Sequence, residues 1–159
     1  MLTKEYKKII IERLNSFLAP LGFKRKGNIY QKISGDLTYY IGLQSSMSSN
    51  ADLLKFSINI EIASLELARH DDDRTPIHLH RHYFRRIGNF LKPSQDKWFL
   101  ISSMDMAKNE SDEIINLIKD NVIPEIEKLK SANDLMINSF GLTDKRKEYY
   151  IKVLSQQQA

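Results

Sequence analysis

Along the first residues, apolar side chains recur at Tyr6, Ile10, Leu14, Phe17, Leu18 and Leu21. Steps of three and four put them on one side of a helix over about residues 3–19, with Thr3 as its cap and Pro20 and Gly22 as its stop. The period then changes to two. In "NIYQKISGDLTYYIGLQSS" two alternating runs flank Gly35-Asp36, which predicts a hairpin. Leu37, Tyr39, Ile41 and Leu43 share one side of the second run, and Phe56, Ile58, Ile60 and Ile62 share one side of "LKFSINIEIA". Alternation of this kind buries one face of a sheet and leaves the other polar.

Helical spacing returns near the end. "NESDEIINLIKDNVIPEIEKL" begins with capping residues and acids, which suit a helix N-terminus. It sets Ile114, Ile115, Leu117, Ile118, Val122, Ile126 and Leu129 mainly to one side, and Pro124 should kink it or start a new helix. A last helix is expected from Asp144 to Leu154, with the terminal "SQQQA" frayed. Met104, Met106 and Met136 read as gap-filling core or loop residues, and Trp98 as a core anchor. Residues 76–91 are open to two readings. Thr75-Pro76 suits a helix start, whereas Tyr83, Arg85 and Ile87 alternate against Phe84, Arg86 and Gly88 as in a strand. Glycine disfavours a helix by about 1 kcal/mol relative to alanine, so the second half is taken as strand. "WFLIS" reads as a further strand.

The fold class that follows is α+β. An antiparallel sheet of about four to five strands carries an N-terminal helix and C-terminal helices on one face. Residues 1–159 form a single domain, with a β-rich section over about 23–102 and a helical section over about 110–155.

Composition narrows the chemistry. The 159 residues include no cysteine, which excludes disulfides, zinc ribbons and thiol nucleophiles. No segment has the length and apolarity of a membrane span or signal peptide, so a cytoplasmic chain without membrane contact is expected. The net charge of +4 is unevenly spread. Through Lys32 there are eight Lys or Arg against two Glu, and from Arg74 to Lys92 five basic residues and no acid. Residues 105–127 hold seven acids against two lysines. Such polarity steers encounters with charged partners, although ordinary solvated faces produce it too.

Several stretches occur in a familiar order: "PLGFKRKGNIYQK" after a helix, then "GDLTYYIGLQSS", "FSINIEI", "RRIGNFL" and "DKWFLI". Together they resemble the bacterial family catalogued as domain of unknown function 4304, from the first helix to the helix around Pro124. The family's Gly-Phe step, Gln-x-Ser, strand Asn, Arg-Ile-Gly and aromatic pair correspond here to Gly22-Phe23, Gln44 with Ser46, Asn59, Arg86-Ile87-Gly88 and Trp98-Phe99. Phe99 stands where a second Trp is expected. The resemblance implies an α+β fold with a helix-flanked antiparallel sheet and implies no reaction.

The pleat gathers the polar residues of these motifs. With Ile41 and Leu43 buried, Tyr40, Gly42, Gln44 and Ser46 point away from the core; with Ile58 and Ile60 buried, so do Ser57, Asn59 and Glu61. On a strand, Arg86 joins them. Tyr40, Gln44, Ser46, Asn59 and Arg86 are therefore the candidate binding residues, against the plainer reading of an ordinary polar sheet face. The segment "HDDDRTPIHLHRH" holds every histidine. As a strand it aligns His78, His80 and His82 on one side, as a metal would need; as a helix it aligns only His78 and His82 and lacks the Glu of H-E-x-x-H. Arg81, Arg85 and Arg86 nearby oppose a cation, so no metal and no cofactor is assigned.

There is no G-x-S-x-G, Walker loop or G-x-G-x-x-G, and no paired carboxylates stand out for acid–base work. The reading leans away from an enzyme, towards a protein-interaction module of immunity or antitoxin-like kind with a protein partner. Nucleic-acid binding through Lys24-Arg25-Lys26, Arg81, Arg85-Arg86 and Lys145-Arg146-Lys147, with Tyr30 or Tyr40 stacking bases, is one alternative. A metal-dependent hydrolase built on His78, His80 and His82 is the other.

Overall fold

The computed structural model describes residues 2–71, 81–138 and 140–157. Helix α1 (Leu2–Leu18) buries Tyr6, Ile10, Leu14 and Leu18, the stripe its spacing predicts. Thr3 lies inside its first turn rather than capping it. A 3₁₀ turn at Ala19–Leu21 carries Pro20, and Gly22 closes it at φ 95°, a left-handed conformation open to glycine, with its N–H on the Ala19 carbonyl at 3.0 Å.

The fold is α+β as expected, and among the described residues the sheet is antiparallel and open, with six strands, one more than the four to five expected: β1 (Lys24–Lys26), β2 (Ile29–Ser34), β3 (Leu37–Ser45), β4 (Leu54–Ser64), β5 (Tyr83–Arg86) and β6 (Phe99–Ile101). The spatial order is β1-β2-β3-β4-β5, and β6 also pairs with β4. The Gly35-Asp36 hairpin forms as expected, with Ser34 opposite Leu37. The strand not foreseen is β1, three residues long. Gly27-Asn28 turns β1 back along β2, and the eleven residues of β4 are long enough for β5 to pair at Asn59–Ile62 and β6 at Leu54–Phe56.

Register explains the core. Tyr30, Ile41 and Ile60 face one another across β2, β3 and β4, and each is essentially inaccessible. Each such side chain contributes roughly 1.5–3 kcal/mol relative to an exposed one. One hydrophobic cluster runs from α1 through this sheet face into the C-terminal helices.

A short helix, α2 (Leu65–Ala68), follows β4; Ser64 Oγ accepts the Leu67 N–H at 3.2 Å. Helix α3 (Met104–Leu117) starts earlier than its acidic run suggested, because Ser103 caps it by accepting the Met106 N–H at 3.1 Å. Met104 and Met106 consequently sit exposed on its first turn rather than in core or loop, and Ser111 is buried mid-helix, donating to the Ala107 carbonyl. Before Pro124, residues Ile118–Val122 widen into a π-helical turn, and α4 (Ile123–Ile126) carries the proline in its first turn. The wider turn accommodates a ring that lacks an N–H and would crowd the carbonyl four residues back. Helices α5 (Ala132–Ile137) and α6 (Asp144–Gln157) complete the chain; residues 155–157, expected to fray, are helical. No helix among the described residues is long and apolar enough to cross a membrane.

Candidate functional site

Opposite the buried face, the register aligns Ile29, Gly42, Asn59 and Arg86 in one row across four strands, beside the row Gln31, Tyr40, Glu61 and Phe84. All of these but Gln31 line a cleft of about 480 Å³, to which Leu43, Gln44 and Arg81 also contribute. Tyr40, Gln44, Asn59 and Arg86, four of the five residues predicted from the pleat, therefore converge. Ser46 does not. It lies just past β3, where its hydroxyl holds Ser48 Oγ at 2.9 Å and accepts the Ser48 N–H at 3.1 Å, so it builds a turn.

Gly42 is the floor of the cleft. A Cβ built there would meet only Ile29 Cγ1, at an ordinary 3.7 Å, and the backbone does not adopt positive φ. Neither packing nor conformation requires glycine in this strand, where it costs roughly 0.5–1 kcal/mol relative to alanine. What it provides is space. Beside it, Asn59 Nδ2 donates to Gln44 Oε1 at 2.8 Å, while Asn59 Oδ1 is shielded from solvent without a hydrogen-bond partner. An unpaired buried acceptor costs about 1–3 kcal/mol and asks for a donor.

The wall beyond is cationic. Arg81 Nε lies 3.4 Å from Glu61 Oε1, and its guanidinium stacks 5.1 Å from the Phe84 ring centre. Arg86 donates through Nη1 to Asp96 Oδ1 at 3.2 Å and rests 5.3 Å from the Trp98 ring centre; Lys55 Nζ approaches the same ring at 5.3 Å. Trp98 is thus half-buried at the end of the polar face, not a core anchor. Its indole N–H donates to Asp96 Oδ2 at 3.0 Å, which with the Arg86 charge holds the Asp96 carboxyl below its ordinary range. Burial, then the Glu61 charge, pushes the Tyr40 phenol above its usual value, so it stays a neutral hydrogen-bonding group.

Other expectations are corrected by position. Ser57 is fully buried and donates to the Lys97 carbonyl at 2.8 Å. Tyr30 is in the core with its hydroxyl on the Ile11 carbonyl at 3.0 Å, so it cannot stack a base. Arg85 falls on the opposite side of β5 from Arg86, its guanidinium 4.1 Å from the Phe90 ring centre and 4.3 Å from that of Phe140. The strand reading of the second half of 76–91 holds as far as Arg86; Ile87–Phe90 is then a 3₁₀ turn in which Asn89 Oδ1 accepts the Arg86 N–H at 3.0 Å.

His78 and His80 lie outside the described residues, as do Asp72 and Asp73. His82 is completely buried. Its Nδ1 accepts the Ser64 N–H at 2.9 Å and its Nε2 faces Asp71 Oδ2 at 3.1 Å, which fixes the proton on Nε2 and leaves neither nitrogen for a metal. Asp71 in turn accepts from the Tyr150 hydroxyl, with Arg146 3.7 Å away. Burial and the Asp71 hydrogen bond push the Tyr150 phenol up to about 12. The network ties β5 to α6. Among the described residues no group of three metal-ligating side chains forms.

Gly42, Ile29 and Phe84 are not among the expected binding residues, and Arg81 is named only for the nucleic-acid alternative. A glycine inside an alternating aromatic and aliphatic strand is a signal for close approach; Arg81 precedes its strand, so the pleat alone does not place it on the polar face.

The family model described as domain of unknown function (DUF4304) matches residues 14–128. No curated protein and no solved structure matches the chain.

Proposed function

This chain belongs to the family described as domain of unknown function (DUF4304), and we propose that it is a protein-interaction module whose polar sheet face receives a segment of a partner protein. The observation that carries this reading is the glycine-floored cleft with an unpaired amide carbonyl in its lining. A peptide suits it chemically: the Asn59 carbonyl takes an N–H, the Gln44 and Asn59 amides match backbone groups, and Ile29 offers an apolar contact. We place the module in a non-catalytic, immunity or antitoxin-like role. The test is capture of partners from extracts of the cells that make the protein. The wild-type chain should retain one partner in stoichiometric amount, and Gly42→Val should lose it while a substitution on α6, Lys152→Ala, keeps it. A partner retained by Gly42→Val as by wild type overturns the reading.

A further inference from the structure

We propose that the segment the cleft receives is extended and acidic, with carboxylates reaching Arg81 and Arg86; this rests on the reading of the cleft as a polypeptide site. Among the described residues lining it, two guanidiniums face one carboxylate, Glu61. Arg81 Nε is shielded from solvent yet makes no hydrogen bond, despite its ion-pair distance to Glu61. Arg86 spends its charge on Asp96, whose side chain is 64% exposed. Solvent screens such an exposed pair, so an incoming carboxylate can displace it and gain a two-pronged guanidinium contact. The positive rim continues: register places Lys24 and Lys26 beside Gln31 and Ile29 on the same sheet face, and Lys55 flanks Trp98.

A nucleic acid would bring anions too, but it needs open aromatic faces for its bases. Phe84 is already stacked on Arg81, Tyr30 is in the core, and Tyr40 is half-buried between strands. Apart from Glu61, which already faces Arg81, the remaining lining of Gly42, the Gln44 and Asn59 amides, Ile29 and Leu43 is suited to a peptide backbone with acidic side chains at alternate positions, as an extended segment presents them.

The test uses three fluorescein-labelled probes of equal length in anisotropy titrations: an alternating Glu-Thr hexapeptide, its Gln-Thr counterpart and a hexauridylate. The Glu-Thr peptide should bind, weaken with salt, lose roughly tenfold in affinity for each of Arg81→Gln and Arg86→Gln, and lose binding altogether in Gly42→Val. Equal binding of the Gln-Thr peptide, still abolished by Gly42→Val, overturns the acidic preference and leaves the cleft reading standing. Binding of hexauridylate alone overturns both. If no probe binds at millimolar concentration, the acidic preference is overturned, and the capture experiment decides the cleft separately.

Discussion

Two glycines on this chain do opposite work. Gly88 approaches the 95–97 loop so closely that a Cβ would sit 2.0 Å from the Gln95 carbonyl oxygen. Backbone cannot give way cheaply there, so Gly88→Ala should cost about 2 kcal/mol or more, read as a lowered urea midpoint. Gly42 has open space above it, so Gly42→Val should leave the midpoint unchanged or raised, by up to about 1 kcal/mol, because valine suits a strand better. A fall comparable to that of Gly88→Ala would show that the space above Gly42 is a packing requirement and not a site. His82 is a third case. Removing its ring leaves a cavity and orphans the Ser64 N–H, so His82→Ala should cost about 2–4 kcal/mol. Zinc should not raise the unfolding temperature of the wild-type chain; a rise that disappears in the variant would restore a metal role for this histidine.

At the scale of elements, the connection between β5 and β6 is where the site meets the fold. The chain leaves β5 after Arg86, turns through Ile87–Phe90, and returns so that Asp96 and Trp98 bracket the Arg86 side chain. Protonating Asp96 removes the charge that the indole N–H and Arg86 hold. Its folded pKa is depressed, so the clamp is intact at neutral pH and is lost as pH falls below the ordinary Asp range. Trp98 is the chain's one tryptophan, and its fluorescence should titrate there and lose that transition in Asp96→Asn. The alternating strands and the faces they present could be read from sequence because period two fixes them: Ile41 and Ile60 inward, Tyr40 and Asn59 outward. What could not be read had non-local causes. Both short strands β5 and β6 were legible as strands, but that they share β4 as their partner was not, and α3 begins at a serine cap six residues before Asn109. Ser57 sits on the polar side by pleat yet is covered by the Lys97 backbone. His82 looked like a ligand only until Ser64 and Asp71, distant in sequence, took its two nitrogens.

For the whole molecule, the uneven charge seen along the chain becomes directional. The polar sheet face is rimmed by Lys24, Lys26, Lys55, Arg81 and Arg86, whereas acids concentrate on α3 and the segment after it. Within that acidic stretch, burial and the neighbouring Glu113 charge raise the Glu110 pKa above its usual value. Its ionised form therefore opposes folding, and stability from this group increases as pH falls; Glu110→Gln should be neutral or stabilising at pH 7, with the difference vanishing in acid. On the proposed reading, these opposed charges would favour approach of an acidic partner at the sheet face over approach at α3 and the segment after it. The measurement that bears most directly on the central claim is capture of the partner by wild-type and Gly42→Val chains side by side, with their unfolding midpoints. Partner loss with an undiminished midpoint is the predicted result. Full retention by a folded Gly42→Val chain would contradict the account, because the cleft would then be filled and the binding unaffected.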